Sequence, residues 1–215
     1  EGVWMSSRGI HRVLKREGLV RTKRRFPHKD IWQPRATVPG ELVEIDVAFM
    51  RKFKGKWLYQ FTAIDSCTRW RFLNIYSEQH GGSALDFLNS LMAAAPFHIR
   101  GIKTDNGAIF TNRYNGYYKS TRPFPRMHVF TKRCREYGIT HYLIDPGKPA
   151  QNGKVERSHR TDREEFWNRV HFHSLEELKR KQFTYVDWYN NEREHLGIGG
   201  KTPVELLSQS VRHDV

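Results

Sequence analysis

The chain has 215 residues, of which 37 are Lys or Arg and 23 are Asp or Glu, giving a formal net charge of +14. That length fits one domain with appendages, and 38% hydrophobic with 13% aromatic residues describes a folded rather than a disordered protein. No apolar run approaches the roughly 20 residues that span a bilayer, no secretory leader opens the sequence, and Cys67 and Cys134 are too few for a disulfide scaffold or zinc cluster. A reducing, cytoplasmic setting without a membrane partner is expected, and the lack of Met at position 1 points to a longer natural chain.

Half of the excess charge lies in the first forty residues, where ten Lys and Arg face only Glu1, Glu17 and Asp30. A basic arm ahead of a milder domain is the electrostatic footprint of a partner rich in phosphate, although anionic membranes and acidic proteins attract such arms too. Within it, Ser6 to Gly18 reads as a short helix with a serine cap and a glycine stop. Ile10, Val13 and Leu14 form its apolar stripe, and Arg8, Arg12 and Arg16 line another face. Residues 1–25 are therefore read as the remnant of an N-terminal helix-turn-helix module, with Arg8 and Arg12 as candidate DNA contacts; an isolated amphipathic arm is the alternative. Pro27, Pro34 and Pro39 mark residues 26–40 as a linker.

From Glu41 the pattern turns to period two, with Val43, Ile45, Val47 and Phe49 on one face and Glu44 and Asp46 on the other. Lys54-Gly55 is a turn, Trp57 to Ile64 a second strand, Asp65 to Thr68 another turn, and Arg69 to Tyr76 a third strand. Gly82 to Ala94 carries a helical apolar stripe; Ile99 to Thr104 is a strand that stops at Asp105-Asn106-Gly107. Residues 112–127 read as an insertion. A helix from Val129 to Tyr137 closed by Gly138, a strand from Ile139 to Ile144, and helices starting near Asn152, at Ser174 and at Pro203 complete the order, the last two opened by capping boxes. This is a mixed α/β chain with a core over 41–195 and a C-terminal helix and tail over 196–215.

Three carboxylates stand out by context. Asp46 is the odd charge inside the first strand, Asp105 sits where an apolar strand ends, and Glu156 lies in the first turn of a helix. Drawn from separate segments, they can converge into an oxygen cage for Mg²⁺ or Mn²⁺, hard cations that prefer carboxylates. Lys154, Arg157, Arg160 and Arg163 recur around Glu156 as a basic strip for a DNA backbone, interleaved with Asp162 and Glu164. His159, three residues after Glu156, lies on adjacent helix surface, a candidate to touch the residues that surround the site. Asp65 beside Arg69 reads as a structural ion pair, His171 and His173 as loop residues, and Trp57, Trp70, Trp167 and Trp188 as core or dimer-interface residues.

Ile45-Asp46, Ala63-Ile64-Asp65 with Arg69, Thr104-Asp105-Asn106-Gly107 with Phe110, and Gln151-Asn152-Gly153-Lys154-Val155-Glu156-Arg157 together resemble the integrase-type catalytic core of bacterial insertion-sequence transposases. Trp188-Tyr189-Asn190, Arg193, His195 and Lys201-Thr202-Pro203-Val204-Glu205 are similar to that family's C-terminal stretch. The resemblance implies a ribonuclease-H-like fold, a five-strand mixed sheet flanked by helices. It also implies an Asp-Asp-Glu triad at Asp46, Asp105 and Glu156 that is both catalytic and metal-binding, with two Mg²⁺ or Mn²⁺ ions. The implied partners are DNA, as element ends and target, and further copies of the chain in a homo-oligomer. Two departures stand out. Fifty residues separate Asp105 from Glu156, more than the family's usual spacing, which the 112–127 insertion absorbs; and Val43 and Ala48 stand where the first-strand motif often has an aromatic and a Thr. Rival readings are a retroelement integrase, a DNA-binding regulatory relic without catalysis, and a ribonuclease-H-type nuclease for RNA hybrids.

Overall fold

The computed structural model describes residues 6–19, 36–113 and 127–211. Most of the expected linker and the centre of the expected insertion lie outside them. Two compact units divide the chain near Trp32. In the first, helix α1 (Ser7–Arg16) forms as its sequence requires: the Ser6 hydroxyl accepts the Gly9 amide at 3.2 Å, and Gly18 ends the helix at φ +67°. Arg8 and Arg12 are exposed on it, and so are Ile10, Val13 and Leu14.

The second unit is built on five strands: β1 (Val43–Phe53), β2 (Lys56–Asp65), β3 (Arg71–Tyr76), β4 (Gly101–Thr104) and β5 (Thr140–Leu143). Their order across the sheet is β3-β2-β1-β4-β5; the first three form an antiparallel meander, and β4 and β5 run parallel to β1. Lys54 and Gly55 both take positive φ, the two-residue turn whose twist suits a hairpin. β1 carries one extra residue between Phe49 and Lys52 relative to β2. The strand is longer than its period-two segment predicts, and beyond that bulge its alternation no longer tracks the core. Phe49, expected inside, is 52% exposed and packs its ring on Trp57 and Tyr59 instead.

Helices cover both faces. On one, α2 (Gly81–Ala94) and α3 (Val129–Glu136) bury Val43, Ile45, Phe61, Ala63, Phe87, Leu88 and Leu91 in the larger apolar cluster. Each such fully buried side chain contributes about 1.5–3 kcal/mol. The other face holds α4 (Gly153–Asp162), a π-helical turn at Arg163–Trp167, and α5 (Leu175–Asn191), over a second cluster of Leu58, Leu73, Ile75, Phe166, Trp167 and Leu178. Of the four tryptophans expected in the core or a dimer interface, Trp70 and Trp167 are core and Trp57 and Trp188 are partly exposed. The C-terminal helix α6 (Pro203–Val211) opens with a reciprocal box: Thr202 Oγ1 accepts the Glu205 amide at 3.2 Å, and Glu205 accepts the Thr202 amide at 2.8 Å. At α5 the Ser174 half holds, but Glu177 reaches one residue further back, to the His173 amide.

Gly40 allows the loop before β1 to close. Its φ is +78°, and a Cβ there would stand 2.1 Å from the His98 carbonyl oxygen. Its amide donates to Asp65 Oδ1 at 2.9 Å. The Asp65 carboxylate also takes the amides of Cys67 and Thr68 and the Thr68 hydroxyl, so it organises the β2–β3 turn. This corrects the expected ion pair with Arg69, whose guanidinium donates to the Ser66 carbonyl instead. Burial raises the Asp65 pKa against the pull of those donors.

A buried charge pair pins α4 and α5 to the sheet. Arg71 Nη2 on β3 meets both oxygens of Asp162 at 2.5 Å, and both side chains are fully buried. Gln60 Nε2 donates to Asp162 at 2.6 Å and the Tyr185 hydroxyl at 3.0 Å, while Tyr189 lays its ring against the guanidinium, 4.2 Å from centroid to carbon. The expected exposed position of Asp162 is therefore wrong: it lies on the inner side of α4. Removing one partner strands the other charge, so Arg71→Ala or Asp162→Ala should each cost about 3–5 kcal/mol in urea unfolding. The double variant Arg71→Met/Asp162→Leu should cost less than either single one.

Candidate active site

Strand register brings the first two carboxylates together. β1 and β4 are paired in parallel through Val43↔Ile102, Glu44↔Lys103 and Ile45↔Thr104, so the next residues along, Asp46 and Asp105, are neighbours one strand spacing apart. β4 ends there. Asp105 turns back to accept the Gly107 amide at 3.0 Å, and Asn106 ties the loop to β5 through the Ile144 carbonyl at 2.9 Å. Asp46 and Asp105 share a cavity of about 270 Å³ with Val47, Gln79 and Ala108. Gln79 carried no sequence signal; it precedes α2 and arrives only by the fold.

The third carboxylate comes from α4. A 3-10 turn at Pro149–Asn152 leads into that helix, and the buried Asn152 donates to the Ile45 carbonyl at 3.4 Å, which ties the helix start to β1 beside Asp46. Gln151 braces the approach by accepting the Asp145 amide and donating to its carboxylate. The helix buries Val155, Ser158, His159 and Asp162 and leaves Glu156 exposed at its first turn. Glu156 feels Asp46 more than Asp105, and its pKa is raised, by desolvation first and by Asp46 next. The Asp105 pKa is raised too, by burial and then by Asp46. Asp46 is thus the middle member of a group of like charges.

His159 serves Asp46 from behind. Its Nε2 stands 3.1 Å from Asp46 Oδ2 and its Nδ1 is 3.5 Å from the Thr62 hydroxyl, the cross-strand partner of Asp46. Thr62 Oγ1 accepts from Gln60 Nε2 at 2.9 Å, and Gln60 also binds Asp162 and takes the Trp167 indole N–H at 2.6 Å. With that acceptor role filled, the Thr62 proton is available to Nδ1, and Nε2–H is the donor to Asp46. A polar chain therefore runs from the carboxylate to the Arg71–Asp162 pair. Next to it, Glu44 is buried with Lys103 at 3.2 Å and the Ser66 hydroxyl at 2.9 Å. Neither pair was visible in the sequence, where Glu44 read only as the companion of Asp46 on one strand face.

The donor set suits a hard cation: burial and the neighbouring Asp46 raise the pKa of Asp105 and Glu156, and among the described residues no Lys or Arg is paired with the three carboxylates. Among the described residues, however, no three His, Cys, Asp or Glu side chains stand close enough to grip one ion. The expected cage is a neighbourhood of charge at one end of the sheet, not a closed shell. Nor do the four basic residues form one strip. On the helix, Arg160 lies on the Glu156 side, paired with Glu164 at 2.9 Å, and the exposed Arg163 follows at the start of the π turn. Lys154 and Arg157 lie on the opposite flank, lining a groove with Arg69. Cys134 is buried with its pKa pushed up to about 12, and Cys67 donates to the Thr37 carbonyl, so neither is a nucleophile.

Two family models, both described as integrase core domain, match residues 36–149 and 137–203, the first holding Asp46 and Asp105 and the second Glu156. The chain belongs to the integrase core family. This integrase core is 26% identical to an uncharacterized 39.2 kDa protein of insertion element IS476 from Xanthomonas euvesicatoria, over 93% of the chain and 54% of that protein. It is also 26% identical to the 31.7 kDa protein of IS407 from Burkholderia multivorans, over 97% and 72%. It therefore spans about half the length of the first relative and under three quarters of the second. Among solved structures it superposes on the catalytic core of BIV integrase with a TM-score of 0.58 at 18% identity, covering 81% of this chain and 98% of that one. The HTLV-2 integrase catalytic core in complex with magnesium gives 0.52 at 16% identity, covering 79% and 97%. The expected ribonuclease-H-like five-strand sheet is the fold observed.

A carboxylate whose pKa is higher folded than unfolded opposes folding when charged: its penalty is absent in acid and grows as pH rises through the folded pKa. Asp105→Asn should therefore stabilise this integrase core at pH 7, and the gain should vanish as pH falls below the ordinary carboxylate range, read as Tm against pH.

Proposed function

We propose that this integrase core cuts and joins DNA as the catalytic part of an insertion-element transposase. The observation that carries the reading is the β1–β4 register, which sets Asp46 beside Asp105 at a cavity mouth, while α4 carries Glu156 within electrostatic reach of both. Asp46, the middle carboxylate, would be shared by two Mg²⁺ or Mn²⁺ ions, with Asp105 and Glu156 each completing one. Bound there, the ions would lower the pKa of water and stabilise the attacking and leaving oxygens of a phosphodiester.

The chain's own groups set up that chemistry. His159 holds Asp46 Oδ2 and leaves the other oxygen free, so the carboxylate keeps one orientation before and during ligand binding. The Asp105 carboxylate is oriented by the Gly107 amide. Arg160 and Arg163, on the Glu156 side of α4, would neutralise the phosphates of the strand being cut, and Arg8 and Arg12 would hold a separate stretch of duplex. No side-chain nucleophile is used: hydrolysis would leave a 3′-OH at the element end, and the same site would direct that hydroxyl at target DNA. Cutting two ends together calls for a dimer or higher assembly.

Mn²⁺-dependent nicking of supercoiled plasmid tests the triad. Asp46→Asn, Asp105→Asn and Glu156→Gln should each lower it by about 100-fold or more with circular dichroism unchanged, and full activity in any of them would remove that residue from the site. His159→Asn, which keeps a donor, should bind Mn²⁺ close to wild type in calorimetry, whereas His159→Ala should bind about 10–100-fold more weakly.

A further inference from the structure

A second cavity, about 710 Å³ and so larger than the one that Asp46 and Asp105 share, lies away from the carboxylate site. It lies along the other flank of α4, where Lys154, Arg157 and Thr161 face Arg69 from the β2–β3 turn and the segment after α5 that carries Arg193 and Leu196. Lys154 Nζ and Arg69 Nη1 both donate to the Ser66 carbonyl, at 3.1 and 3.2 Å, so two cations stand within reach of one small anion. Arg157 follows Lys154 by one helical turn, about 5–6 Å along the groove, and is exposed with no acidic partner among the described residues. Arg193 is already held by Glu165 at 2.7 and 2.9 Å, which leaves Glu194 as the acid of the lining.

Three further features make this wall unlike a solvated face. Arg69 holds φ +68°, a left-handed backbone that non-glycine residues adopt at a cost, and the Asp65 hydrogen bonds impose it. Lys154 Nζ stands 4.0 Å from Glu44 Oε1, so a buried carboxylate behind the wall helps to fix its position. Leu196 stands at the rim 96% exposed, an apolar surface beside the cations.

We propose that this groove binds the sugar-phosphate backbone of DNA, at a hold separate from the catalytic cleft, with Arg69, Lys154 and Arg157 as the phosphate contacts. Cations in a row fit a repeating anion better than a single phosphate, two of the three are guanidiniums that can grip phosphate oxygens in pairs, and Leu196 would lie against deoxyribose. Choosing DNA among polyanions rests on the proposed transposase reading; the row of cations does not. A strand seated here would run along α4 on the side away from Glu156, so the helix would lie between two tracks of DNA.

Fluorescence anisotropy of a short random-sequence duplex, with the full chain and no divalent metal, tests this apart from catalysis. Arg157→Ala should weaken binding about three- to tenfold, whereas Arg135→Ala, with the same charge change at an exposed position of α3, should do less than half as much. Arg69→Gln/Arg157→Ala should also lower the slope of log K against log salt by about two. Equal losses at Arg157 and Arg135, or an unchanged slope in the double variant, would overturn the proposal. Competition by poly-glutamate as strong as by DNA of equal charge would overturn it in favour of an acidic protein partner. Because Arg157 is exposed and unpaired, its variant reads binding without a folding defect. Failure of the catalytic reading would show separately, as nicking that survives Asp105→Asn.

Discussion

The buried pair of Arg71 and Asp162 sets where α4 lies on the sheet, and nearly everything at the carboxylate site depends on that placement. Two desolvated charges are expensive, and the cost is offset here because Asp162 receives the guanidinium, Gln60 and the Tyr185 hydroxyl together, while Tyr189 covers the face of Arg71. The geometry this imposes is narrow. Asp162 sits one turn after His159, and His159 one turn after Glu156, so fixing Asp162 in the core fixes the rotation of the helix. Rotation in turn decides which residues face Asp46. A hydrophobic contact of equal strength would tolerate more sliding and rolling, because dispersion has little direction whereas charge-assisted hydrogen bonds have a great deal.

The same network closes an exposed edge. β3 ends the sheet, and Asn190 on α5 bonds the Arg71 amide and carbonyl at 2.9 and 2.8 Å, while Gln182 bonds the Leu73 carbonyl at 2.8 Å. Side-chain amides thus complete a strand that would otherwise offer unpaired backbone to another chain. Asn190 and Tyr189 both belong to the C-terminal stretch, so that stretch is joined to the carboxylates through Arg71, Asp162, Gln60, Thr62 and His159 in sequence. Against this the carboxylates work in the opposite direction: burial and the neighbouring Asp46 raise the pKa values of Asp105 and Glu156, which costs stability at neutral pH. The rigid network behind the site offsets a repulsion in front of it.

Much of this was legible in the residues. Period-two patterning gave the meander, and a strand stopping at Asp105-Asn106-Gly107 marked the ligand end of the sheet. Caps at Ser6, Ser174 and Thr202 placed three helix starts to within a residue. What stayed hidden depends on which face of an element is covered. Asp162 and Glu164 look alike in sequence, yet one is fully buried and the other exposed, because Asp162 faces Gln60 and Arg71 on the sheet while Glu164, two residues on, faces away. Phe49 read as core because its alternation with Val43, Ile45 and Val47 is unbroken, yet it sits where β1 leaves the helix-covered part of the sheet and packs only on Trp57 and Tyr59. Asp65 and Arg69 read as an ion pair because proximity in sequence suggests charge pairing, whereas the turn offers the carboxylate the Cys67 and Thr68 amides and the loop before β1 adds that of Gly40. The split of the basic residues between two flanks was readable from helical periodicity alone, but only the position of the turn carrying Arg69 gives the second flank a wall.

One helix therefore presents three surfaces with three physical tasks. Its inner side, with Val155, His159 and Asp162, is held by packing and a charge pair; the side bearing Glu156 and Arg160 faces the carboxylate cleft; the side bearing Lys154 and Arg157 faces the groove. Displacing α4 to relieve carboxylate repulsion would break the Asp162 contacts, and displacing it toward the groove would separate His159 from Asp46. The helix is constrained from both directions, so a charged polymer on either flank meets a surface that does not have to reorganise. That is the condition under which electrostatic contacts give most of their value, since the cost of ordering the cations has been met by the fold before the ligand arrives.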